Sequence, residues 1–333
     1  MYLLIFLQVI TVNLFSKHNI QEFTIEKPNE KIIVVNKKIF KNKYFKLPKD
    51  SKITVNHTSL SSPKVIKYFE GVVKVKKSSD RFLIFQELEL NDYLFAVILA
   101  ELNREVPIEA LKAFYLVVKN YTLMSLQRHK SIKADFCDIA HCQLYNGNTT
   151  PQAPKTGVFF EEDLALLLNK KIYYKNKLAF TPYSSSCGKY TCSSKDIWSR
   201  EYEYLKGRTL NTNLAPWVYK LKKTDLKEIL GIDLINKFTL KKGCVYSIGE
   251  NSKTKSIIIS GENFRRKINQ ELGWNKIKSN VFTIKKYKNY YLIKGSGFGH
   301  NVGFCIKEAI ILAEQGYNYI DILNYFFEGI EVK

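Results

Sequence analysis

The spacing of hydrophobic and polar positions changes character along this chain. Between residues 20 and 85, short β-rich runs (EFTIEK, KIIVVN, KITVNH, VIKYFEGVVKV, RFLIFQEL) alternate with polar breaks that carry Pro28, Pro48 and Pro63, which predicts antiparallel strands. From Glu87 to Met124 the spacing becomes helical and predicts two apolar helices joined by a polar elbow. Asn91 or Asp92 is placed to cap the first, and Pro107 suits the first turn of the second. The second helix is apolar nearly all the way round (Ile108, Leu111, Phe114, Tyr115, Leu116, Val117, Val118, Tyr121), the pattern of a buried helix. Downstream, RHKSIKADFCDIAHCQLYNGNTT reads as a loop, FEEDLALLLN as a helix and KIYYKNKLAFT as a hairpin. Residues 196 to 240 read as loops with one helix, DLKEILGIDLI. Strands return in CVYSIGE, SIIIS, FTIKKY and NYYLIKGSG around a short helix in ENFRRKINQEL. Two helices end the sequence, with Gly316 placed as a C-cap for the first. The class is α+β: an antiparallel β-rich platform with a central buried helix pair and C-terminal helices.

The first residues, MYLLIFLQVITVNLF, match a signal-peptide core in length but lack a basic leader and an A-x-A-like cleavage site. Gln8, Thr11 and Asn13 break the run too often for a confident membrane span. Residues 1–16 are therefore expected to be a signal peptide or N-terminal anchor of an exported protein, the alternative being a buried first strand. Residues 17–64 are expected to form a β-rich extension and residues 65–333 the main domain.

The 333 residues are 45% hydrophobic, enough for a sizeable core, and they include 21 Tyr and 21 Phe, which excludes a predominantly disordered chain. A net charge of +21 calls for an anionic partner or surface. The lysines are scattered without a recognised binding module, so nucleic acid is set aside as that partner.

Three stretches carry candidate chemistry. Glu101 ends the apolar run YLFAVILA, where lost hydration favours the protonated carboxyl and makes it a candidate general acid; the plainer alternative is the exposed end of a core helix. Cys137, His141 and Cys142 fall within six residues, with His129 eight before Cys137. Two thiolates and an imidazole suit zinc, but a Cys137–Cys142 disulfide fits the spacing equally well. Cys187 and Gly188 sit in a small-residue turn five residues before Cys192, with no His at a distance that suggests a nucleophile, so a disulfide or a packed turn is expected. Gly295, Gly297, Gly299 and Gly303 bracket His300, which predicts close backbone approach and a site histidine. No acidic residue and no βαβ alternation follow, as a dinucleotide loop would require.

In this order the pieces resemble the SpoIID/LytB family, the group of sporulation stage II protein D and the amidase enhancers. The resemblance runs through ELELNDYLFAVILAEL, EALKAF with Tyr121, RHK with CDIAHCQLY, YSSSCGKYT with DIW, SGENFRRKI, SNVF, GFGHNVG and EQGYNYIDILNYFFEG, from about residue 65 onward. It implies a lytic transglycosylase that cuts peptidoglycan glycan strands already stripped of peptides, with Glu101 as catalytic acid. The muramic acid's own C6 hydroxyl then displaces the leaving sugar to give a 1,6-anhydro end, so one carboxylate suffices where ordinary glycosidases use two. It further implies zinc at Cys137, His141 and Cys142 in some members, and substrate contacts at Lys112, Tyr121, Gln143, Ser186, Cys187, Gly188, Gly299 and His300. The partners implied are glycan strands and a cell-wall amidase, with the membrane reached only through an N-terminal anchor. Against the usual family pattern, Phe114 replaces Gln, Lys119 replaces Arg, Lys189 replaces Gly, and His300-Asn301-Val302-Gly303-Phe304-Cys305-Ile306 loses a Gly and a Gln. Those departures leave open a wall-binding protein that recruits or stimulates an amidase without cutting.

Overall fold

The computed structural model describes residues 8–30, 33–36, 44–55, 65–78, 81–102, 105–149, 164–212, 214–273 and 275–333. The chain forms two compact units. One comprises Met1–Glu105 with Thr122–Ala165, the other Val106–Tyr121 with Leu166–Lys333. The α+β class holds, with a large, mainly antiparallel sheet.

The first unit is built on a seven-stranded sheet. Its strands are β1 (Val9–Leu14), β2 (Glu22–Glu26), β3 (Ile33–Asn36), β4 (Tyr44–Val55), β5 (Val65–Lys77), β6 (Phe82–Glu89) and β7 (Phe136–Cys137). They lie in the order β3-β2-β4-β5-β6-β1-β7, all antiparallel except the β1–β7 pair. The strands forecast between residues 20 and 85 are therefore present. However, β4 and β5 pair from Tyr44↔Lys74 to Val55↔Val65, so the division expected at residues 64 and 65 falls inside one sheet.

Val9–Leu14 take the alternative form considered for the N-terminal segment, a largely buried strand, while residues 1–7 lie outside the described residues. Ile10 and Val12 are fully buried, and β1 lies between β6 and β7. Two acids tie it down. The Asp135 carboxylate accepts the Thr11 N–H at 2.9 Å. The buried Asp138 carboxylate accepts the N–H groups of Phe15 and Ser16 at 2.6 and 3.0 Å, and pairs with Lys67 Nζ at 2.7 Å. Residues 9–14 are thus structural, and removing them would separate β6 from β7. Among the described residues no helix is long and apolar enough to cross a membrane.

Helix α1 (Leu90–Glu101) follows β6 directly. Its N-cap is Glu89, without a side-chain cap, rather than Asn91 or Asp92, because the strand runs to Glu89 and the helix begins one residue later. Tyr93 is fully buried and stacks between Phe136 and Tyr145, with centroids 5.2 and 5.8 Å away. Helix α2 (Ile108–Met124) starts at Pro107, whose carbonyl accepts the Leu111 N–H. Leu111, Phe114 and Tyr121 are buried as predicted, with Ala113 and Tyr115 through Val118 completely so, whereas Ile108, also expected inside, is exposed in the helix's first turn. The two helices belong to different units, α1 to the first and α2 as far as Tyr121 to the second.

The second unit contains smaller sheets. The forecast hairpin is β8 (Ile172–Tyr174) with β9 (Lys177–Leu178), turned by Lys175 and Asn176, both at positive φ as a tight twisted turn requires. The helix expected in FEEDLALLLN lies outside the described residues up to Asp163; Leu164 and Ala165 are helical and a turn follows. Further on come β10 (Tyr183–Ser184), α3 (Ser194–Trp198), β11 (Trp217–Lys222), α4 (Lys223–Leu230), β12 (Lys237–Lys241), β13 (Cys244–Asn251), β14 (Ser256–Ser260), α5 (Gly261–Leu272), β15 (Phe282–Lys286) and β16 (Tyr290–Gly295). The sequence left PWVYKL among loops, but it forms β11, which pairs antiparallel with β16. After β17 (Phe304–Cys305), helices α6 (Ile306–Glu314) and α7 (Tyr319–Phe326) precede β18 (Glu331–Val332). Gly316, at φ +90, returns its N–H to Ala313 and terminates α6 as predicted. Trp217, Leu221, Val245, Ile248, Phe264, Ile268, Phe282, Tyr291 and Ile293 share one core. A disulfide joins Cys192 to Cys244 across 52 residues, a loop length for which chain entropy gives about 4 kcal/mol. Spacing alone did not predict this pair.

Burial pushes the Asp138 carboxyl up, but the Lys67 ammonium and the hydrogen bonds from Ser16 outweigh it and hold the group below the usual carboxylate range. Its stabilisation is therefore complete above about pH 4, the unfolded value, and is lost as the pH falls through the lower folded value. Asp138→Asn should cost about 3 kcal/mol at pH 7 by stranding Lys67. In urea unfolding at pH 6 and pH 3, the variant should lose less stability between the two than the parent does.

Candidate functional site

Glu101 is the last residue of α1 and is half-buried. Its carboxylate Oε1 accepts the Leu144 N–H at 3.1 Å. Leu144 belongs to the loop that follows β7, and the side chains of that loop hold it against the first unit. Gln143 is buried; its amide oxygen accepts from the Tyr93 hydroxyl at 3.2 Å and the Thr122 hydroxyl at 2.9 Å. Tyr145 is buried, donates to the Gln86 amide oxygen at 2.6 Å and gives its carbonyl to Lys67 Nζ at 2.7 Å. Gln143, expected to touch substrate, instead fixes the loop from within.

The same loop carries the cysteines. Cys137 and Cys142 Sγ atoms are 3.4 Å apart and unbonded, which sets aside a disulfide between them in this structure. His141 Nδ1 lies 3.6 Å from each sulfur, and His129 Nε2 lies 3.2 Å from Cys142 Sγ. All four ligand atoms fall within 4.8 Å of one another. A tetrahedral zinc ion, with bonds of about 2.0 to 2.3 Å, places its ligand atoms roughly 3.3 to 3.8 Å apart; the four separations above, 3.2 to 3.6 Å, are close to that range, and two thiols with two imidazoles are a zinc-type donor set. The hydrogen bond from Cys142 and the His141 imidazole hold Cys137 toward the thiolate, the form that binds metal. His129 is the ligand missing from the sequence-based set. The bridge between His129 and Ala134 brings it back toward β7. The signal was the incomplete three-ligand set, which a closed site completes with a fourth donor.

In the second unit, motifs far apart in sequence meet around His300. Its Nδ1 accepts the Val302 N–H at 3.0 Å, so a neutral ring carries its proton on Nε2. The Trp198 ring meets it edge-on at 4.9 Å. Asn280 donates to the His300 carbonyl at 3.1 Å and to the Glu262 carboxylate at 2.8 Å, and Arg265 grips Glu262 with two hydrogen bonds. SGENFRR, SNVF and GFGHN thus form one network. The glycines serve loop-on-loop packing: a Cβ on Gly297 would meet the Gly188 backbone at 2.7 Å, and one on Gly303 would meet the Pro182 carbonyl at 2.3 Å.

The remaining expected contacts divide. Ser186, Gly299 and His300 are half-exposed, whereas Cys187 and Gly188 are buried and Tyr121 is 7% exposed, packed on Phe180 and Tyr183. Lys112 is paired with Glu109 at 3.0 Å.

Three of the departures from the usual family pattern, Phe114, Lys119 and Asn301, are accommodated by local contacts, while Lys189 is exposed. Phe114, which stands where the family has Gln, stacks on Phe304 at 5.9 Å. Lys119 is buried and donates to the carbonyls of Leu167, Leu168 and Lys170 that end the turn before β8, so it closes a turn. Asn301 stands where the family has Gly and keeps a left-handed φ of 64°, which Asn tolerates better than most residues. Its buried amide accepts the Asn280 N–H at 2.9 Å and donates to the Cys187 carbonyl at 3.0 Å. Asn301→Ala should cost about 2 kcal/mol or more, from two orphaned buried partners and a strained φ. Asn301→Gly should cost less, because it relieves the strain. Urea unfolding of the two variants checks the order.

Comparison with known proteins supports the motif assignment. Residues 78–162 match the family model described as stage II sporulation protein. The chain is 26% identical to an uncharacterised protein of Brachyspira hyodysenteriae over 80% of this chain and 72% of that protein. It is 23% identical to stage II sporulation protein D of Bacillus amyloliquefaciens over 84% of this chain and 83% of that one. It is 24% identical to the amidase enhancer of Bacillus subtilis over 71% of this chain and 39% of the enhancer. The matched segment contains both Glu101 and the cysteine-histidine loop, and the chain is similar to proteins of the SpoIID/LytB family, as its ordered motifs suggest.

Proposed function

We propose that this cell-wall-related protein is a lytic transglycosylase that cuts peptide-free peptidoglycan glycan strands, with Glu101 as its single acid and base. The observation that carries the proposal is the placement of Glu101: half-buried at the end of α1, with one carboxylate oxygen on the Leu144 N–H. The protonated carboxyl gives its proton to the bridging oxygen between two sugars. The C6 hydroxyl of the muramic ring attacks C1 as that bond breaks, and its proton returns to the carboxylate. The Leu144 N–H supports the negative charge that the group carries between the two transfers.

The cysteine-histidine cluster is proposed to hold zinc through His129, Cys137, His141 and Cys142. Four protein ligands make a closed site of structural type, whose contribution is to fix the loop that supplies the Leu144 N–H. Export is proposed as well. The Cys192–Cys244 disulfide suits an oxidising compartment, and β1 would remain in the exported form.

The second reading, a non-catalytic wall protein that recruits or stimulates an amidase, is favoured by the similarity to an amidase enhancer. Incubation with peptide-free strands followed by mass spectrometry separates the two. The transglycosylase yields 1,6-anhydro ends, and Glu101→Gln should lower their rate by about a thousandfold while strand binding persists. Binding without anhydro ends in the parent protein favours the recruiter.

Metal analysis of the purified protein should find one zinc per chain, lost in His129→Ala. After chelation and denaturation without reductant, four thiols should titrate, those of Cys137, Cys142, Cys187 and Cys305. Two thiols and no zinc would mean that Cys137 and Cys142 are disulfide-bonded instead.

A further inference from the structure

The sheet formed by β11, β16 and β15 covers the second unit's core with one face and exposes the other. Trp217, Leu221, Phe282, Tyr291 and Ile293 point inward. The alternate positions point outward: Val218, Lys220 and Lys222 on β11, Tyr290, Leu292 and Lys294 on β16, and Thr283 and Lys285 on β15. The register sets Lys294 between Val218 and Thr283, and Leu292 between Lys220 and Lys285. Four exposed lysines therefore surround a strip of half-buried Leu292 and Tyr290. Beyond the strand ends, Tyr287 stacks on Tyr290 at 4.8 Å, nearly parallel, with Lys285 and Lys220 Nζ within 5.6 Å of these rings.

What sets this face apart is the gathering of lysines on one surface without an acid among them. Elsewhere in the same unit several lysines meet acids, Lys175 with Glu203, Lys195 with Glu201, Lys206 with Glu328, Lys241 with Asp196 and Lys255 with Asp233, while others such as Lys177 and Lys237 are exposed outside any of the ion pairs among the described residues. Among the described residues, none of Lys220, Lys222, Lys285 and Lys294 lies in such an ion pair, although all four are exposed. No acid occurs in the three strands, nor anywhere from Leu272 to Lys307. The nearest in sequence to β11 is Asp225 of α4, whose charge acts on Tyr219, an inward residue. A field of one sign, left uncompensated beside aromatic rings, destabilises the free protein slightly and favours an anionic partner that also offers flat faces.

We propose that this face binds a linear, carboxylate-bearing polysaccharide, in the first instance the peptide-free glycan strand, whose muramic lactyl carboxylates are bare. The proposal rests on the reading of the chain as a glycan-strand protein. Outward residues two apart on a strand are about 6.8 Å apart, and neighbouring strands about 4.8 Å, so the four ammonium groups span several sugar rings of an extended chain. Sugar rings lie on the stacked tyrosines while the lysines meet the carboxylates. The sequence could not reveal this surface, because β11 and the β15–β16 hairpin are separated by sixty residues and only the sheet collects their lysines.

The test compares parent protein with the quadruple variant K220Q/K222Q/K285Q/K294Q, all exposed positions whose replacement leaves the core intact. Fluorescently labelled long strands, the same strands with their carboxyl groups reduced, and short oligosaccharides are titrated at several salt concentrations. The variant should bind long strands about tenfold or more weakly, with a shallower salt dependence. Carboxyl-reduced strands should bind the parent as weakly as native strands bind the variant. Equal binding of long strands by both proteins would overturn the proposal, as would a higher affinity of the parent for duplex DNA or anionic vesicles, titrated alongside, than for the strands. Anhydro-end formation from short oligosaccharides should be unchanged in the variant. A parent that makes those ends while the variant binds long strands equally well would refute this face and leave the enzyme reading intact. A parent that neither binds nor cuts any strand would refute both.

Discussion

The hydrogen bond from the Leu144 N–H to the Glu101 carboxylate is the contact on which the proposed chemistry depends. A glutamate at the last position of a helix sits where the backbone has run out of internal partners and the final turn frays most readily. Something outside the helix has to set where that side chain points. Here it is a loop whose own freedom is removed from several directions: Gln143 on Tyr93 and Thr122, Tyr145 on Gln86 and Lys67, and four metal-type ligands drawn together at its start. Asp138, one residue past Cys137, ties the same loop to the turn after β1, so the first strand and the reactive carboxyl share supports.

In the second unit several positions that depart from the usual family pattern have partners of their own. An aromatic replacement, Phe114, stacks on Phe304, a lysine closes a turn through three carbonyls, and an asparagine occupies a left-handed position while satisfying two buried backbone groups. Each change is local and each has a partner. They bear on how the loops around His300 are held, and that loop-on-loop packing is also what the crowded glycines serve.

Much of the fold was legible in the sequence because the strands alternate cleanly and α2 is apolar almost all round. The 137–142 stretch stood out as a candidate site from its unusual residue types. What escaped depends on long-range pairing. Val9–Leu14 has the same apolar look as a leader, and only its neighbours β6 and β7 make it a strand. The Cys192–Cys244 link spans 52 residues, so no spacing rule announces it. PWVYKL alternates as a strand should, but an edge position beside β16 gave it no local punctuation. Gln143 and Cys187 carry the chemistry of surface groups and lie inside, where hydrogen bonds to Tyr93 and Thr122 and tight packing around the Gly188 turn account for them.

Hydrogen exchange at the Leu144 amide, followed by NMR before and after zinc is removed by a chelator, tests most directly whether the cysteine-histidine cluster sets the position of Glu101. The account predicts strong protection in the metal-loaded protein and rapid exchange after chelation, with β6 and α2 amides still protected. Equal protection of Leu144 in both states would contradict it.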